Sequence, residues 1–454
     1  MTVLFMTTFD GLWLSDGYAL FLEVQGKKLT GYEITSVSCL PSISAQGTPI
    51  GDQGQVRFLA QNDQGEPDES LGFEMIPGSD QNTAWLQFDG VVSNVKLERV
   101  AKAPAVFETK TTNTPMANYQ VFWQTWKEHY PFFDLQACDW ATIDQQFRPL
   151  VTPATSDAQL FEIFTDMISP LNDAHTSITF PEGKTYFSGF RKLGRVIDDT
   201  GQLLPFVLEM AYRAREIVGE HYLKGDLRDD CNNQVHFGML EGGLGYLRID
   251  SFSSYAASGD FSVELENLNN ALDEIFDNRR KLNGLVIDVR LNSGGSDLLG
   301  LAIVERLTGT PYLAYSKIAR NQPDDEKVFT TPQPSMVNPS SRPSFHGPVV
   351  LLTSLFTVSA GENFAMALMD RTPKVSRVGE NTQGVFSDVL SRKLPNGMRF
   401  GLPNEIFLTK DGKYFDVVGV PVEIEIPVFT DSDLEQGVDP ALEKAIALLT
   451  AFIA

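Results

Sequence analysis

A serine in the second half of the chain stands where its hydroxyl could act in catalysis. Ser359 follows an apolar run at residues 349–352 that is typical of a strand buried on both faces, and it precedes a run with helical spacing. Unpaired backbone N–H groups and the positive end of a helix dipole meet at such a junction, and both favour an anion on a substrate oxygen. Ser359 is therefore a candidate nucleophile.

The same residues also fit a structural interpretation. Ser-x-x-Glu before an apolar helical run is a capping box, in which the Ser359 hydroxyl binds helix N–H groups and Glu362 reaches back. Helix caps are far more numerous than nucleophiles. These residues alone leave both interpretations open.

A pair of glycines stands at a second strand-to-helix junction. The apolar run at residues 285–289 is followed by Gly294 and Gly295, and a helix is predicted from about Asp297. The stretch has neither the GxxxxGK[ST] nor the GxGxxG pattern, so a phosphate loop is not indicated. Paired glycines can turn backbone N–H groups toward a substrate, or they can simply form a tight turn. Both uses remain open.

These two junctions are expected to lie side by side. Strands and helices alternate over residues 244–370, which predicts a largely parallel α/β layer. Turns that follow neighbouring parallel strands lie on the same edge of a sheet, where sites tend to form.

A histidine could supply a general base. His175 lies in a turn between a predicted helix at residues 157–168 and a short strand at residues 177–180. A neutral imidazole can accept a serine proton near neutral pH. A lone histidine at such a turn is by default a surface or core residue, so the residues alone do not assign it a function.

The period of the apolar residues divides the chain into four predicted parts. Residues 1–108 have short alternating runs between turns and are predicted to form an all-β domain, either a sandwich or a barrel. Residues 109–180 are predicted to be helical, and their aromatic stripe is interpreted as helix packing. Residues 181–235 are predicted to be a helical or irregular insert, and residues 236–454 an α/β core.

Composition excludes several classes of function. The formal charge of -23 makes nonspecific binding to nucleic acid or to anionic lipid unfavourable. No run approaches the length of a membrane span, and the start of the chain lacks the basic and apolar regions of an export signal. The compartment stays open, because a signal could have been removed from a periplasmic or secreted protein.

Cysteines and histidines give no sign of a metal site. The three cysteines, Cys39, Cys138 and Cys231, are far apart and odd in number, so neither a disulfide framework nor a metal knuckle is predicted. Cys231 lies in a polar, acidic stretch and is expected to be the most exposed of the three, with a raised thiol pKa. No metal or organic cofactor is predicted.

Taken together, these stretches resemble the tail-specific, or C-terminal processing, serine peptidases, and in particular their tricorn-core branch. The resemblance covers about residues 119–450 and leaves residues 1–108 outside it. It implies a catalytic domain with a crotonase-like ββα fold. It rests on five motifs in the family's order, at residues 173–176, 287–295, 359–362, 379–384 and 416–420.

The resemblance implies roles for single residues. Ser359 would be the nucleophile, His175 the general base and Asp416 the acid that orients the base. The backbone N–H groups of Ala360 and of Gly294 or Gly295 would form the oxyanion hole.

The sequence departs from the family at three places. The catalytic lysine of the bacterial processing branch is missing, because Val385 follows Gly384. The orienting acid is an aspartate where the family has a glutamate, and Glu423 and Glu425 are alternatives nearby. Residues 181–235 lack the carboxylate-binding pattern of a PDZ module, so selection of substrate tails by such a module is not predicted.

Two functions follow from the resemblance. The first is a serine endopeptidase that cleaves extended or unfolded peptides through an acyl-enzyme, with no cofactor. The second is a non-catalytic module for hydrophobic ligands, because retinoid-binding repeats of the photoreceptor matrix share this core. The sequence leaves the oligomeric state open.

Overall fold

A computed structural model gives the fold. It describes residues 9–453 apart from 63, 110, 182, 184, 188–192, 194–204 and 278–280. Part of the predicted insert at residues 181–235 therefore lies outside the described residues. No helix among those that are described is long and apolar enough to cross a membrane.

The N-terminal strands close into an antiparallel barrel. They are β1 (Gly11–Ser15), β2 (Leu20–Gln25), β3 (Lys28–Ile34), β4 (Cys39–Ile50), β5 (Gln55–Gln61), β6 (Pro67–Pro77), β7 (Thr83–Phe88) and β8 (Asn94–Val100). Closure comes from β1, which pairs with both β2 and β8. Alternate side chains such as Phe58, Phe73 and Leu86 fill the interior. The predicted β domain is thus a barrel and not a sandwich.

Helices follow the barrel. They and the short strands after them are α1 (Pro115–His129), α2 (Trp140–Phe147), α3 (Asp157–Ile168), β9 (Ser177–Thr179), β10 (Thr185–Phe187) and α4 (Pro205–His221). Side chains of the aromatic stripe on α1, such as Tyr119 and Trp126, are fully buried against α3 and neighbouring elements. This confirms that the stripe is helix packing.

The remaining elements form the α/β region. They are β11 (Arg228–Asp230), β12 (Val235–Met239), β13 (Leu244–Ile249), α5 (Phe261–Ile275), β14 (Gly284–Asp288), α6 (Asp297–Glu305), β15 (Tyr312–Gln322), β16 (Asp325–Phe329), β17 (Gln333–Val337), β18 (Val349–Thr353), α7 (Ala360–Ala367), β19 (Ser376–Gly379), β20 (Val389–Lys393), β21 (Arg399–Pro403), β22 (Glu405–Leu408), β23 (Ile424–Glu425), α8 (Asp431–Gln436) and α9 (Pro440–Ile453).

Its central sheet has the order β11-β12-β13-β14-β18-β19-β23. The pairs from β13 to β23 are parallel, which confirms the predicted parallel layer. Strands β14 and β18 are buried along their whole length, as the apolar runs indicated. Because these two strands are neighbours, the turns that lead from them into α6 and α7 lie on one edge of the sheet.

A second sheet connects the helical part to this edge. Its order is β10-β9-β21-β20, and β9 begins directly after the turn that carries His175. A third sheet joins β15 to β16, β17 and β22. The turn with His175 is thus brought toward the α/β region by the pairing of β9 with β21.

One expectation about the cysteines is wrong. Cys231 is buried, whereas Cys39 and Cys138 are partly exposed. A turn of residues with positive φ at Cys231, Asn232 and Asn233 folds this polar stretch back, and the thiol packs into the main core. Burial, and then the neighbouring Asp230, raises the pKa of the Cys231 thiol to about 12.

Candidate active site

The backbone at Ser359 is strained. Ser359 stands between β18 and α7 with φ 55° and ψ -127°, a combination that residues with side chains rarely adopt. Such a conformation costs on the order of 1–3 kcal/mol and persists only when the surrounding structure imposes it. Sharp, strained strand-to-helix turns of this kind present a serine hydroxyl in hydrolases.

The capping-box arrangement is present at the start of α7. Glu362 reaches back, since its carboxylate accepts the Ser359 N–H at 3.3 Å. The N–H of Glu362 faces the Ser359 hydroxyl, and it donates to the Ser359 carbonyl at 2.8 Å. Because the main chain already satisfies this N–H, the helix start does not depend on the half-buried Ser359 hydroxyl.

Glu362 also holds the next turn of the chain in place. Its buried carboxylate accepts hydrogen bonds from the Thr382 hydroxyl at 2.6 Å, the Gly384 N–H at 2.6 Å and the Val385 N–H at 2.7 Å. Burial raises the pKa of Glu362 to about 7, although these hydrogen bonds oppose the shift. Sequence reasoning considered Glu362 only as a capping residue and missed this second role.

His175 lies in a turn that Asp173 organises. The carboxylate of Asp173 accepts the His175 N–H at 2.9 Å and the Tyr130 hydroxyl at 3.1 Å. The Thr176 hydroxyl donates to the Asp173 carbonyl at 2.7 Å. Aspartate commonly fixes turns in this way, and here the turn sets the direction in which the chain enters β9.

One short segment, residues 385–387, lies next to all three predicted catalytic residues. The Ser359 N–H donates to the Val385 carbonyl at 3.0 Å. The main chain of Phe386 lies near the Asp416 carboxyl, and the main chain of Ser387 lies against the His175 ring. The fold thus gathers residues that are up to 241 positions apart in sequence around three consecutive residues.

Direct contacts among the three side chains are not made. Within the described part of the chain, no hydrogen bond joins the Ser359 hydroxyl to His175 or His175 to Asp416. Nδ1 of His175 and Oδ2 of Asp416 are both buried, and neither has a hydrogen-bond partner in the part of the chain that is described. Two unsatisfied polar atoms in one site are typical of groups that act when a substrate or water is bound.

Burial controls the protonation of this site. It lowers the pKa of His175 below its ordinary value, although Asp173 and Asp388 raise it. Burial, with added repulsion from Glu362 and Asp173, raises the pKa of Asp416 well above its ordinary value. The arrangement therefore favours a neutral imidazole and a neutral Asp416, and a neutral imidazole is the form that can accept a proton.

Asp416 is followed by a second strained residue. Val417 has φ 73°, which is rare for a branched side chain, and its N–H donates to the Gly384 carbonyl at 2.8 Å. A side chain at Gly384 would lie 2.6 Å from the Val417 backbone, so this glycine permits the close approach. The other acids lie elsewhere: Glu423 pairs with Arg377 at 2.9 Å, and Glu425 is exposed.

The structure narrows the choice of oxyanion donor. The N–H of Gly294, which is buried, donates to the Asn292 side chain at 2.9 Å. Gly295 is exposed, and neither its N–H nor that of Ala360 donates a hydrogen bond to any residue that the structure describes. Gly295 is thus the better candidate of the two glycines, beside Ala360.

The glycines also allow the two turns to touch. A side chain at Gly294 would lie 2.7 Å from Cβ of Ser359, and one at Gly295 would lie 2.3 Å from the Phe252 carbonyl. Both glycines have positive φ. Only glycine fits at either place.

Metal ligands are not grouped in the residues described. Among them, no cluster of three or more His, Cys, Asp or Glu side chains is placed to hold a metal ion. The groups that this site offers are a hydroxyl, an imidazole, two free backbone N–H groups and buried carboxyls.

Comparison with protein families matches both the site and the helical region. Residues 243–426 match the model of peptidase family S41, and residues 112–169 match that of the tricorn protease C1 domain. The first match includes Ser359, the paired glycines and Asp416. His175 lies between the two matched ranges, and the barrel lies outside both.

Solved structures share the fold. A crystal structure of a candidate peptidase from Parabacteroides merdae ATCC 43184 is 24% identical with a TM-score of 0.60, over 74% of this chain and 97% of that chain. A structure of mature CPAF complexed with lactacystin is 14% identical with a TM-score of 0.53, over 75% of this chain and 98% of that one. At these identities the likeness concerns the fold.

Proposed function

The chain carries a peptidase family S41 domain and is a serine-type peptidase, and we propose that it is an endopeptidase that cleaves extended or unfolded peptides through an acyl-enzyme. The observation that carries the proposal is the Ser359 turn. Its strained backbone presents a half-buried hydroxyl beside the N–H groups of Gly295 and Ala360, which donate to none of the residues described. The segment at residues 385–387 accepts the Ser359 N–H at Val385, and its Ser387 main chain lies against the His175 ring.

The reaction would proceed in two stages. The Ser359 oxygen attacks the peptide carbonyl carbon as His175 takes the hydroxyl proton, and the oxyanion is stabilised by the N–H groups of Gly295 and Ala360. The C–N bond then breaks, the imidazolium gives its proton to the leaving amine, and an ester remains on Ser359. Water attacks this ester with His175 as base, which releases the acid product and restores the serine.

Asp416 is proposed to respond to the charge that forms on His175. As a neutral acid it imposes no charge on the resting site, and it can hold the ring through the unpartnered atoms of both groups, directly or by one water. When the imidazolium forms, its charge favours ionisation of the acid. The pair would then stabilise the intermediate.

We also propose the crotonase-like ββα arrangement for the α/β region. Two neighbouring strand-turn-helix units, β14 with α6 and β18 with α7, support it. An extended peptide could add to a sheet edge beside the Ser359 turn, which would orient its scissile carbonyl through main-chain hydrogen bonds.

Turnover of an unfolded protein tests the proposal. Wild-type protein should cleave a denatured substrate at internal bonds, and Ser359→Ala should lose this activity while keeping its unfolding temperature. Ser258→Ala, at an exposed serine, is the matched control and should cleave normally. Equal cleavage by Ser359→Ala and the control would contradict the proposal.

The hydrophobic-ligand module gains less support. The family model that matches the site is that of a peptidase, and the strain at Ser359 is of the kind found at nucleophiles. A carrier would release a bound apolar molecule on solvent extraction. Recovery of such a molecule together with the absence of any cleavage would favour the carrier.

A further inference from the structure

One loop of the N-terminal barrel reaches into the α/β region. It comprises residues 89–93, between β7 and β8, and we call it the β7–β8 loop. Val92 in this loop packs against the main hydrophobic core. A side chain at Gly90 would lie 3.2 Å from the Phe261 ring. The loop therefore lies against the α/β region and not only against its own barrel.

The first polar contact of the loop is with the turn that carries the paired glycines. The Ser296 hydroxyl donates to the Gly90 carbonyl at 2.6 Å. Ser296 directly follows Gly295, and its N–H donates to the Phe252 carbonyl at 2.8 Å. The residue after the candidate oxyanion donor is thus held on one side by the core and on the other by the barrel.

The second contact is with a charged network on the other side of the site. The buried Ser93 hydroxyl lies 2.9 Å from a Glu405 oxygen and 3.2 Å from an Asp388 oxygen. It also accepts a hydrogen bond from the buried ammonium group of Lys317. Lys317 pairs with Asp388 at 2.7 Å and with Glu405 at 3.1 Å.

The barrel contributes a further hydrogen bond to this network, since the Tyr18 hydroxyl donates to Glu405 at 2.6 Å. One ammonium group cannot fully neutralise two carboxylates. Burial raises the pKa of Glu405, although the charge of Lys317 opposes this shift. Burial also acts to raise the pKa of Asp388, but there the Lys317 charge has the larger effect, and the pKa of Asp388 is lowered. The network thus places its negative charge on Asp388, whose side chain is 43% exposed.

Asp388 connects the network to the candidate base. It follows Ser387, whose main chain lies against the His175 ring, and the Asp388 charge acts on that ring. The charged groups that face His175 are Asp173 from its own turn and Asp388, with Lys317 and Glu405 behind Asp388. Ser93 therefore contacts Lys317, Asp388 and Glu405, the three groups that determine which carboxylate carries the negative charge near His175.

We propose that Ser93 and Ser296 are positioning residues, through which the barrel holds the Gly295 turn and the Ser387–Asp388 segment in the arrangement that catalysis requires. This rests on the proposed peptidase function. Neither residue touches the reacting atoms. The loop contacts both sides of the site, so it can set the distance between the oxyanion donors and the base. An error of about 1 Å in such an arrangement can cost about 100-fold in rate.

The test compares Ser93→Ala and Ser296→Ala with a matched barrel variant, Ser44→Ala, whose hydroxyl donates to the Gln61 side chain at 3.0 Å between β4 and β5. Two quantities are measured on the full chain: the rate of Ser359 labelling by a fluorophosphonate, and hydrogen exchange of peptides covering residues 293–297 and 385–390. Unfolding temperatures are recorded for all variants.

Ser93→Ala and Ser296→Ala are each expected to slow labelling by about 10- to 100-fold. Exchange should rise at residues 385–390 for Ser93→Ala and at residues 293–297 for Ser296→Ala, and Ser44→Ala should change neither quantity. The proposal would be overturned if Ser93→Ala and Ser296→Ala both showed wild-type labelling rates and wild-type hydrogen exchange. It would also be overturned if Ser93→Ala, Ser296→Ala and Ser44→Ala all slowed labelling equally. If wild-type protein is not labelled at all, the peptidase proposal fails, and unchanged exchange would then overturn the positioning role independently.

Discussion

His175 is suited to act as a base because it is held neutral. Burial lowers the pKa of His175 below the ordinary value of about 6.5, so the imidazole is unprotonated at neutral pH. Its Nδ1 has no partner among the residues that the structure describes, and it can form a hydrogen bond when the ring is protonated at its other nitrogen. The residue is therefore ready to accept a proton without first losing one.

This gives a prediction for the pH dependence of turnover. The essential form is the neutral base, so kcat/KM should be constant at neutral pH and fall on the acid side through a pKa below about 6.5. His175→Ala should lower kcat by about 10,000-fold or more. His221→Ala, at an exposed histidine, is the control and should retain the wild-type profile. An unchanged acid limb in His175→Ala would remove His175 from the mechanism.

Asp416 gives a second prediction at the same scale. Its folded-state pKa is raised, so the stability that comes from the protonated acid is present at low pH and is lost as pH rises above the ordinary value of about 4. Asp416→Asn keeps a neutral group at all pH values. The unfolding temperature of the variant relative to wild type should therefore increase from acidic to alkaline pH.

The same substitution, Asp416→Asn, should lower turnover although it raises the relative unfolding temperature at alkaline pH. If Asp416 stabilises the imidazolium, Asp416→Asn should lower kcat by about 100-fold or more. Glu423→Gln, at the acid that pairs with Arg377 away from the site, should leave kcat unchanged. If Glu423→Gln lowers kcat and Asp416→Asn does not, the acid that orients His175 is Glu423 and not Asp416.

At the scale of elements, the Ser359 turn depends on Glu362. Its carboxylate accepts four hydrogen bonds that join the start of α7 to the turn at residues 382–385. A glutamine has one acceptor oxygen and cannot accept from all four donors. At least one buried donor would be left without a partner, which costs about 1–3 kcal/mol.

Glu362→Gln should therefore lower the free energy of unfolding by about 1–3 kcal/mol and also slow cleavage. Glu264→Gln is the matched control, because Glu264 is buried and accepts the Tyr255 N–H at 3.0 Å away from Ser359. Both variants should lose stability in chemical denaturation. If both retain full cleavage activity, Glu362 does not position the nucleophile.

Elements with a clear period could be predicted from the sequence. Helix α3 and the buried strands β14 and β18 were predicted within a residue or so, because the spacing of apolar residues reflects which face is buried. The parallel arrangement of β14 and β18 followed from their alternation with helices. Together these placed Ser359 and the paired glycines on one sheet edge.

Other parts depended on long-range contacts that the sequence does not display. Glu362 matched a local capping pattern, so its hydrogen bonds to residues 382–385 were hidden by a simpler explanation. Lys317, Asp388 and Glu405 lie on separate elements, and nothing in their spacing relates them. Only the fold brings them together next to His175.

At the scale of the whole molecule, a buried histidine at a helix end lies outside the candidate active site. His129 is buried at the end of α1, and neither of its ring nitrogens has a hydrogen-bond partner among the described residues. Burial, followed by the charges of Arg392 and Arg320, lowers the pKa of His129 to about 3. Its stability contribution is complete above about pH 6.5 and is lost as pH falls toward the folded-state value.

The wild-type protein should therefore lose stability on mild acidification. Between pH 7 and pH 5 this residue should lower the free energy of unfolding by about 2 kcal/mol, measured relative to His129→Phe in the same buffers. His346→Phe, at an exposed histidine, is the control and should follow wild type. Parallel pH dependences for wild type and His129→Phe would contradict this account.

The division of the chain into four parts, which end at residues 108, 180, 235 and 454, remains a proposal. The contacts of the barrel with Ser296, Lys317 and Glu405 show that the first of these parts, residues 1–108, packs against the α/β region. An all-β domain, either a sandwich or a barrel, was predicted from alternation alone. These contacts were not predicted, because a loop's partners are not encoded in its own sequence pattern.

The central claim is that Ser359 is a nucleophile activated by His175. The most direct measurement is to react the folded protein with a fluorophosphonate and to map the adduct by peptide mass spectrometry. We predict one adduct on Ser359, absent in Ser359→Ala and formed far more slowly in His175→Ala. The absence of any adduct between about pH 5 and about pH 9, or an adduct on another residue only, would contradict the claim.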